Sequence, residues 1–269
     1  MDLNSPVWAL LEPFMFAAVL LGFRMLGLVI GMPGMAAGGS FPAPSRMVFV
    51  IFLTTFVYTA LGMPLVPLPK ELFTAASMLL KEVMIGAGMG FTVSLLFMAA
   101  EMAGTLVSNS TSLSMATMMD PTSGQDSSTV STLFTITGMT LFISLEGHHH
   151  AIGGLMDNLV LFPLGGYSPV GFEVSTLIQM VDGVFFAALK VAAPMLLVSC
   201  LVNVGLGVMA RAAPQLNIFV MGVSVILMIG LHFLDRSFLG LREVYEDRLP
   251  ELGEQLNRNL VGLGEPPAP

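Results

Sequence analysis

The feature that most constrains this chain is a series of apolar runs of membrane-spanning length, cut apart by proline and glycine and carrying isolated charges. Residues 8–32, WALLEPFMFAAVLLGFRMLGLVIGM, would cross about 30 Å of hydrocarbon as a helix, yet they hold Glu12 and Arg24. Those two charges lie roughly 18 Å apart along a helix and cannot pair. The run ends in GMPGMAAGGSFPAPS, where the prolines and glycines forbid continued helix. Arg46 opens a second run to about Ala60, closed by Pro64, Pro67 and Pro69.

The third run, Glu71 to Val107, would be about 55 Å long as one straight helix, so it must break or project beyond a bilayer. Gly86, Gly88 and Gly90 offer a break. Gly86, Gly90 and Ser94, spaced by four, also make a smooth face for close helix packing, the commoner use of such glycines. Lys81, Glu82 and Glu101 lie on the same run, and Lys81 and Glu82, as neighbours in sequence, do not face one another. After the apolar residues 133–145 comes EGHHH, Glu146 to His150. Consecutive histidines point in different directions, unlike the i, i+4 spacing that puts two ligands on one metal, so an interfacial turn is expected there.

A fifth run, Val174 to Ala210, contains Asp182, Lys190 and Pro194, and the proline predicts a bend or break. Asp182 and Lys190 are two turns apart on different sides of the helix and do not pair. RAAPQLN, Arg211 to Asn217, reads as a polar turn before a last apolar helix to about Phe233. Beyond Asp235 the sequence REVYEDRLPELGEQLNRNL reads as a soluble acidic helix, and residues 251–269 as a flexible tail. A charge at a bilayer centre costs about 2.5 to 3.5 kcal/mol on insertion scales, so the stranded charges must find partners on other helices or subunits, or a wet cavity.

Composition excludes the soluble classes. Of 269 residues, 55% are hydrophobic and 10% charged, with mean hydropathy +0.84, against about 25% charged in ordinary globular domains. An all-α integral membrane protein follows, and hydropathy alone predicts six crossings. The single Cys200 allows no disulfide framework or cysteine metal site. A net charge of −8 argues against nucleic acid as a partner. Asp2 stands where a signal peptide has a basic region, and the first apolar run is longer than a signal core, so no cleavable signal is expected.

Between the third and fourth runs lies a contrasting stretch, Glu101 to Thr132, EMAGTLVSNSTSLSMATMMDPTSGQDSSTVST, with no Lys or Arg. Met102, Met115, Met118 and Met119 are flexible and polarizable, which suits an adaptable seal, while the plain alternative is a solvated loop between two membrane helices.

RAAPQLNIFVMG, with Arg211, Pro214, Gln215, Asn217, Phe219 and Gly222, resembles the FliR family of flagellar export-gate proteins and their injectisome relatives. Further positions match in order: Arg24 and Pro33; Pro44 and Arg46; Glu82 and Gly86 in KEVMIGAGMGF; Ala103 and Gly104; Ala116, Asp120 and Pro121 in ATMMDP; and Gly147, His148 and His149. The resemblance covers roughly residues 8–240 and departs at Ser108, Asn109 and Ser110, where the family tends to have Gln and Gly. It implies an all-α fold of long kinked helices and helical hairpins: a FliP-like part over residues 1–165, including a pore-plug loop at about 106–124, and a FliQ-like hairpin over 170–250. It implies partnership with FliP-like and FliQ-like subunits in a funnel-like assembly, much of it on the periplasmic side, and with FlhB-like and FlhA-like export proteins, unfolded secreted proteins and membrane lipid. The location implied is the bacterial inner membrane at the flagellar basal body, with the charged tail cytoplasmic. No catalytic residue, cofactor or metal is called for.

On this reading Leu113, Met115, Met118, Met119, Asp120 and Pro121 form the plug or gate. Lys81, Glu82, Asp182, Lys190, Arg211, Gln215 and Asn217 serve as subunit contacts. The runner-up is a secondary transporter using Asp182, Lys190 or Glu82 as an ion or proton site, which an inverted internal repeat would favour. A membrane enzyme built on the histidines would need a carboxylate and cleft near His148, where the sequence offers only Glu146.

Overall fold

The computed structural model describes residues 6–32, 42–111, 129–166, 174–212 and 218–261. Within these the chain is helical: α1 Pro6–Gly31, α2 Ala43–Ala60, α3 Leu72–Ser110, α4 Thr129–Ser144, α5 Gly147–Leu161, α6 Val174–Ala212 and α7 Ile218–Val261. Five of the described helices are long and apolar enough to cross a membrane, or six spans if α4 and α5, bent by 67° at their junction, are taken as one. The all-α membrane class read from composition is what the chain adopts.

Local chemistry sets the helix ends. Pro42 caps α2 with extended backbone, its carbonyl accepting from the Ser45 and Arg46 amides and the Ser45 hydroxyl. The same helix stops where Gly62 and Met63 turn left-handed, with φ of 74° and 59°, ahead of Pro64. Between α4 and α5 a single left-handed residue, Glu146 at φ 58°, makes the bend, so the histidines fall in the first turn of α5. Phe162 closes α5 against the Asn158 carbonyl, and Pro163 cannot continue it.

Several elements run further than hydropathy suggests. Glu101 to Ser110 and Thr129 to Thr132, read as parts of a polar connection, are helical and extend α3 and α4. Pro194 lies inside one continuous helix, and the acidic segment after Asp235 is the same helix as the apolar segment before it. The acidic stretch read as a helix is helical to Val261, into the residues also assigned to a flexible tail, and Leu252 and Leu256 are buried. Hydropathy marks a change of surroundings, whereas the hydrogen-bond ladder of a helix runs through such a change unaffected.

The chain forms two compact units that alternate along the sequence. One comprises Met1–Ser94, His149–Ile178 and Glu251–Pro269; the other comprises Leu95–His148 and Gln179–Pro250. In the first, α1 crosses α3 at glycines. A Cβ at Gly86 would run into the Arg24 carbonyl oxygen, and one at Gly90 would meet the Leu28 carbonyl oxygen. The glycines of α3 therefore serve packing, and no break occurs there. Val66 N donates to the Pro13 carbonyl and Tyr58 Oη donates to the Phe14 carbonyl, tying the proline-rich segment after α2 to α1.

The second unit is built around aromatic contacts. Phe97 packs against Phe142 and Tyr245, with ring centroids 5.2 and 6.4 Å apart, and Phe134 packs against Phe238 at 4.9 Å. Tyr245 is fully buried and its hydroxyl donates to the Leu96 carbonyl at 3.4 Å, directly over Gly138, where any side chain would strike it.

Candidate functional site

In the first unit the stranded charges of α1 and α3 meet. Arg24 is fully buried and donates through Nε to Glu82 Oε2 at 2.6 Å. Its Nη1 reaches Asn158 Oδ1 at 3.3 Å, and Nη1 and Nη2 both donate to the Phe162 carbonyl at 3.1 Å. The other carboxylate oxygen of Glu82 accepts from the Gly165 backbone N–H at 3.0 Å. Both members of the pair therefore close on the turn that ends α5, and Gly165 takes the left-handed φ of 73° that presents its N–H. A guanidinium at the carbonyl end of a helix is also favoured by the helix dipole.

The glycines make this possible, because only without Cβ atoms at Gly86 and Gly27 can α1 and α3 approach closely enough for Arg24 to reach Glu82. Asn158 must turn its oxygen to Arg24, since a guanidinium has no acceptor. Its Nδ2 is left buried and without a partner. The cluster is an electrostatic clamp: a desolvated pair whose attraction is strong only because each spare donor or acceptor is nearly all used.

A second group of charges lies in the other unit. Lys190 Nζ stands 3.4 Å from Glu243 and 3.7 Å from Asp247, and all three side chains are well exposed, at 43%, 63% and 67%. At that exposure the pairs are screened and weak. Lys81 is half-buried beside Glu82 and is not its partner; Asp182 is exposed; Arg211 is exposed in the last turn of α6. Leu113, Met115, Met118, Met119, Asp120, Pro121, Gln215 and Asn217 lie outside the described residues.

Two of the charges expected to find partners on other helices or subunits find them on other helices of this chain: Glu82 on Arg24, and Lys190 on Glu243 and Asp247. Sequence reasoning noted Arg24 as unable to reach Glu12 and as one position of the family resemblance, without finding its partner, and missed Asn158 and Tyr245 entirely. The available signal was that Arg24 and Glu82 are opposite charges stranded in separate apolar runs.

The model of the family described as bacterial export proteins, family 1, matches residues 15–251. This chain belongs to that family. The match bears out the resemblance carried by RAAPQLNIFVMG and its companion motifs. The flagellar biosynthetic protein FliR of Caulobacter vibrioides is 27% identical over 237 residues, covering 88% of this chain and 94% of that protein. FliR of Escherichia coli is 27% identical over 211 residues, 78% of this chain and 80% of the relative. The Yop proteins translocation protein T of Yersinia pestis is 28% identical over 179 residues, 65% of this chain and 68% of its own length. The family span takes in Arg24, Glu82, Asn158 and Gly165, so the clamp lies wholly within the matched region.

Proposed function

We propose that this chain is a subunit of the flagellar type III protein export gate, helping to form and close the channel through which unfolded flagellar proteins are secreted. The observation that carries this reading is the match along nearly the whole chain to FliR proteins, which are flagellar biosynthetic proteins by name. The likeness to an injectisome translocation protein supports the same export role in a related machine. The work proposed is structural and not enzymatic, in keeping with a clamp whose carboxylate and guanidinium are spent on each other and on backbone groups.

In this proposal residues 1–165 form the FliP-like part and 170–250 the FliQ-like part, and the chain assembles with FliP-like and FliQ-like subunits in the bacterial inner membrane, with FlhB-like and FlhA-like proteins as further partners. Leu113, Met115, Met118 and Met119 lie across the pore and Asp120 and Pro121 fix the exit turn. Lys81, Asp182, Arg211, Gln215 and Asn217 face other subunits. Mild detergent extraction of the tagged chain tests the assembly, with FliP-like and FliQ-like subunits expected in fixed ratio. Recovery of the chain alone, in cells that still secrete flagellar proteins, would remove it from the gate. The carrier reading has lost its footing at Glu82, which is held at both oxygens.

A further inference from the structure

Two buried amide groups of the first unit are left without partners. Asn158 is fully buried and its Nδ2 has no hydrogen-bond partner among the described residues, and the same holds for the buried Oδ1 of Asn257. One orphan is a donor and the other an acceptor. Leaving either unmade is costly, and native proteins do so rarely.

The packing of α5 on the end of α7 sets the two amides opposite one another. Both segments belong to the first unit. A Cβ at Gly253 would lie 3.5 Å from the His150 carbonyl oxygen and 3.6 Å from Gly154 Cα, while one at Gly154 would lie 2.8 Å from both Gly253 Cα and Leu256 Cδ1. The contacts advance together, from His150 to Gly154 and from Gly253 to Leu256, so the helices run in the same direction here with their backbones close at the glycines. Asn158 follows Gly154 by one turn and Asn257 follows Gly253 by one turn, and residues four apart share a helix face. Each amide therefore stands just past the glycine contact, on the face turned to the other helix.

Neither amide can turn to meet the other without loss. Asn158 Oδ1 accepts from Arg24 Nη1 at 3.3 Å, and Asn257 Nδ2 donates to the Gly253 carbonyl at 3.2 Å. A guanidinium admits only the oxygen end of an amide and a carbonyl only the nitrogen end, so Asn158 offers the gap a donor and Asn257 an acceptor. A group that fits must accept from one and donate to the other. A cation is opposed by the Nδ2 hydrogens and the nearby guanidinium, an anion by the Asn257 oxygen, and an apolar group satisfies neither. Water meets both demands.

We propose that a buried water bridges Asn158 Nδ2 and Asn257 Oδ1, extending the clamp from α1, α3 and α5 to the end of α7. Buried waters typically make about two to four hydrogen bonds to polar groups that otherwise have none, and these amides are such groups. The bridge makes Asn257 a positioning residue: by holding the Nδ2 side of Asn158 it keeps the Oδ1 side on Arg24. Asn257 lies beyond residue 251, where the family match ends, so family membership alone does not point to it.

The test is a map of the full-length chain, purified from membranes with the subunits that accompany it, at a resolution that shows ordered water. A density peak is expected within hydrogen-bonding distance of both Nδ2 and Oδ1. In Asn257→Leu the peak is expected to vanish and the melting temperature of the chain to fall by about 2 to 4 °C, with Asn257→Asp, which keeps an acceptor, falling less. Made on an Asn158→Leu background, Asn257→Leu is expected to cost clearly less, because the donor it served is already gone. No peak, a direct bond between the two amides, a lipid or partner side chain in the gap, or equal falls in both backgrounds would overturn the bridge. If Asn257→Leu does not accumulate, the map of the parent protein and the melting of Asn257→Asp still decide.

Discussion

Arg24 on α1 and Glu82 on α3 are 58 positions apart in sequence and 2.6 Å apart in the folded chain, both out of reach of solvent. Removing one partner leaves the other charged and buried, at a cost of roughly 3 to 5 kcal/mol. Glu82→Ala is therefore expected to abolish accumulation of the chain in membranes, and Glu82→Gln, which keeps an acceptor for Gly165 N–H, to do so less completely. Equal stability of Glu82→Ala and the parent, measured by thermal unfolding in detergent, would mean that the clamp contributes nothing.

The glycine crossing predicts a contrast between two identical substitutions. Gly86→Ala forces a methyl group onto the Arg24 backbone carbonyl and is expected to cost about 1 to 3 kcal/mol or more through displacement of α1. Gly153→Ala meets nothing within 4 Å and is expected to be neutral or to gain up to about 1 kcal/mol from helix propensity. Thermal melts of the two variants side by side decide it, and a Gly86→Ala protein as stable as Gly153→Ala would show that the helices can move apart freely.

Lys190→Ala separates chain stability from assembly. Because Lys190, Glu243 and Asp247 are all largely exposed, losing their contacts should change the stability of the chain by about 1 kcal/mol at most. A marked fall in complex yield on native gels, with the melting temperature of the chain unchanged, would then place Lys190 at a subunit contact. Full assembly would confine its role to the exposed pairing seen here.

The C-terminal helix is expected to matter well beyond Pro250. Leu256 is fully buried in the first unit, where its side chain lies against Gly154 and Gly253 approaches Gly154 backbone to backbone. Leu256→Ala should cost about 2 to 5 kcal/mol, and truncation after Pro250 more. Protease digestion of membranes gives the readout: survival of the truncated chain at the parent's rate would show the segment to be dispensable.

For the proposed gate, deleting Ser110 to Met119 is expected to leave assembly largely intact and make resting membranes leak ions or small solutes. An apolar, flexible constriction closes by dewetting and yields to a passing chain by repacking. Replacing Met115, Met118 and Met119 by Ala should leak less than the deletion, and replacing them by Asp should favour a hydrated, conducting pore. Unchanged conductance in the assembled deletion variant would return the segment to an ordinary surface connection.

The sequence by itself determined the class of the protein and its family, because these depend on residue composition and local order. Long apolar runs admit only helices in a membrane, and motifs such as ATMMDP and RAAPQLN keep their meaning wherever the chain folds. Which charge meets which was decided by tertiary structure alone. Helical geometry shows that Arg24 cannot reach Glu12, but only the crossing of α1 over Gly86 and Gly90 brings it to Glu82. The roles of Asn158 and Gly165 were likewise hidden, since an ordinary amide and an ordinary turn glycine become specific only when a buried guanidinium and carboxylate arrive beside them. Pairing over such separations depends on the angle and spacing at which helices pack, and no local pattern in the chain encodes those quantities.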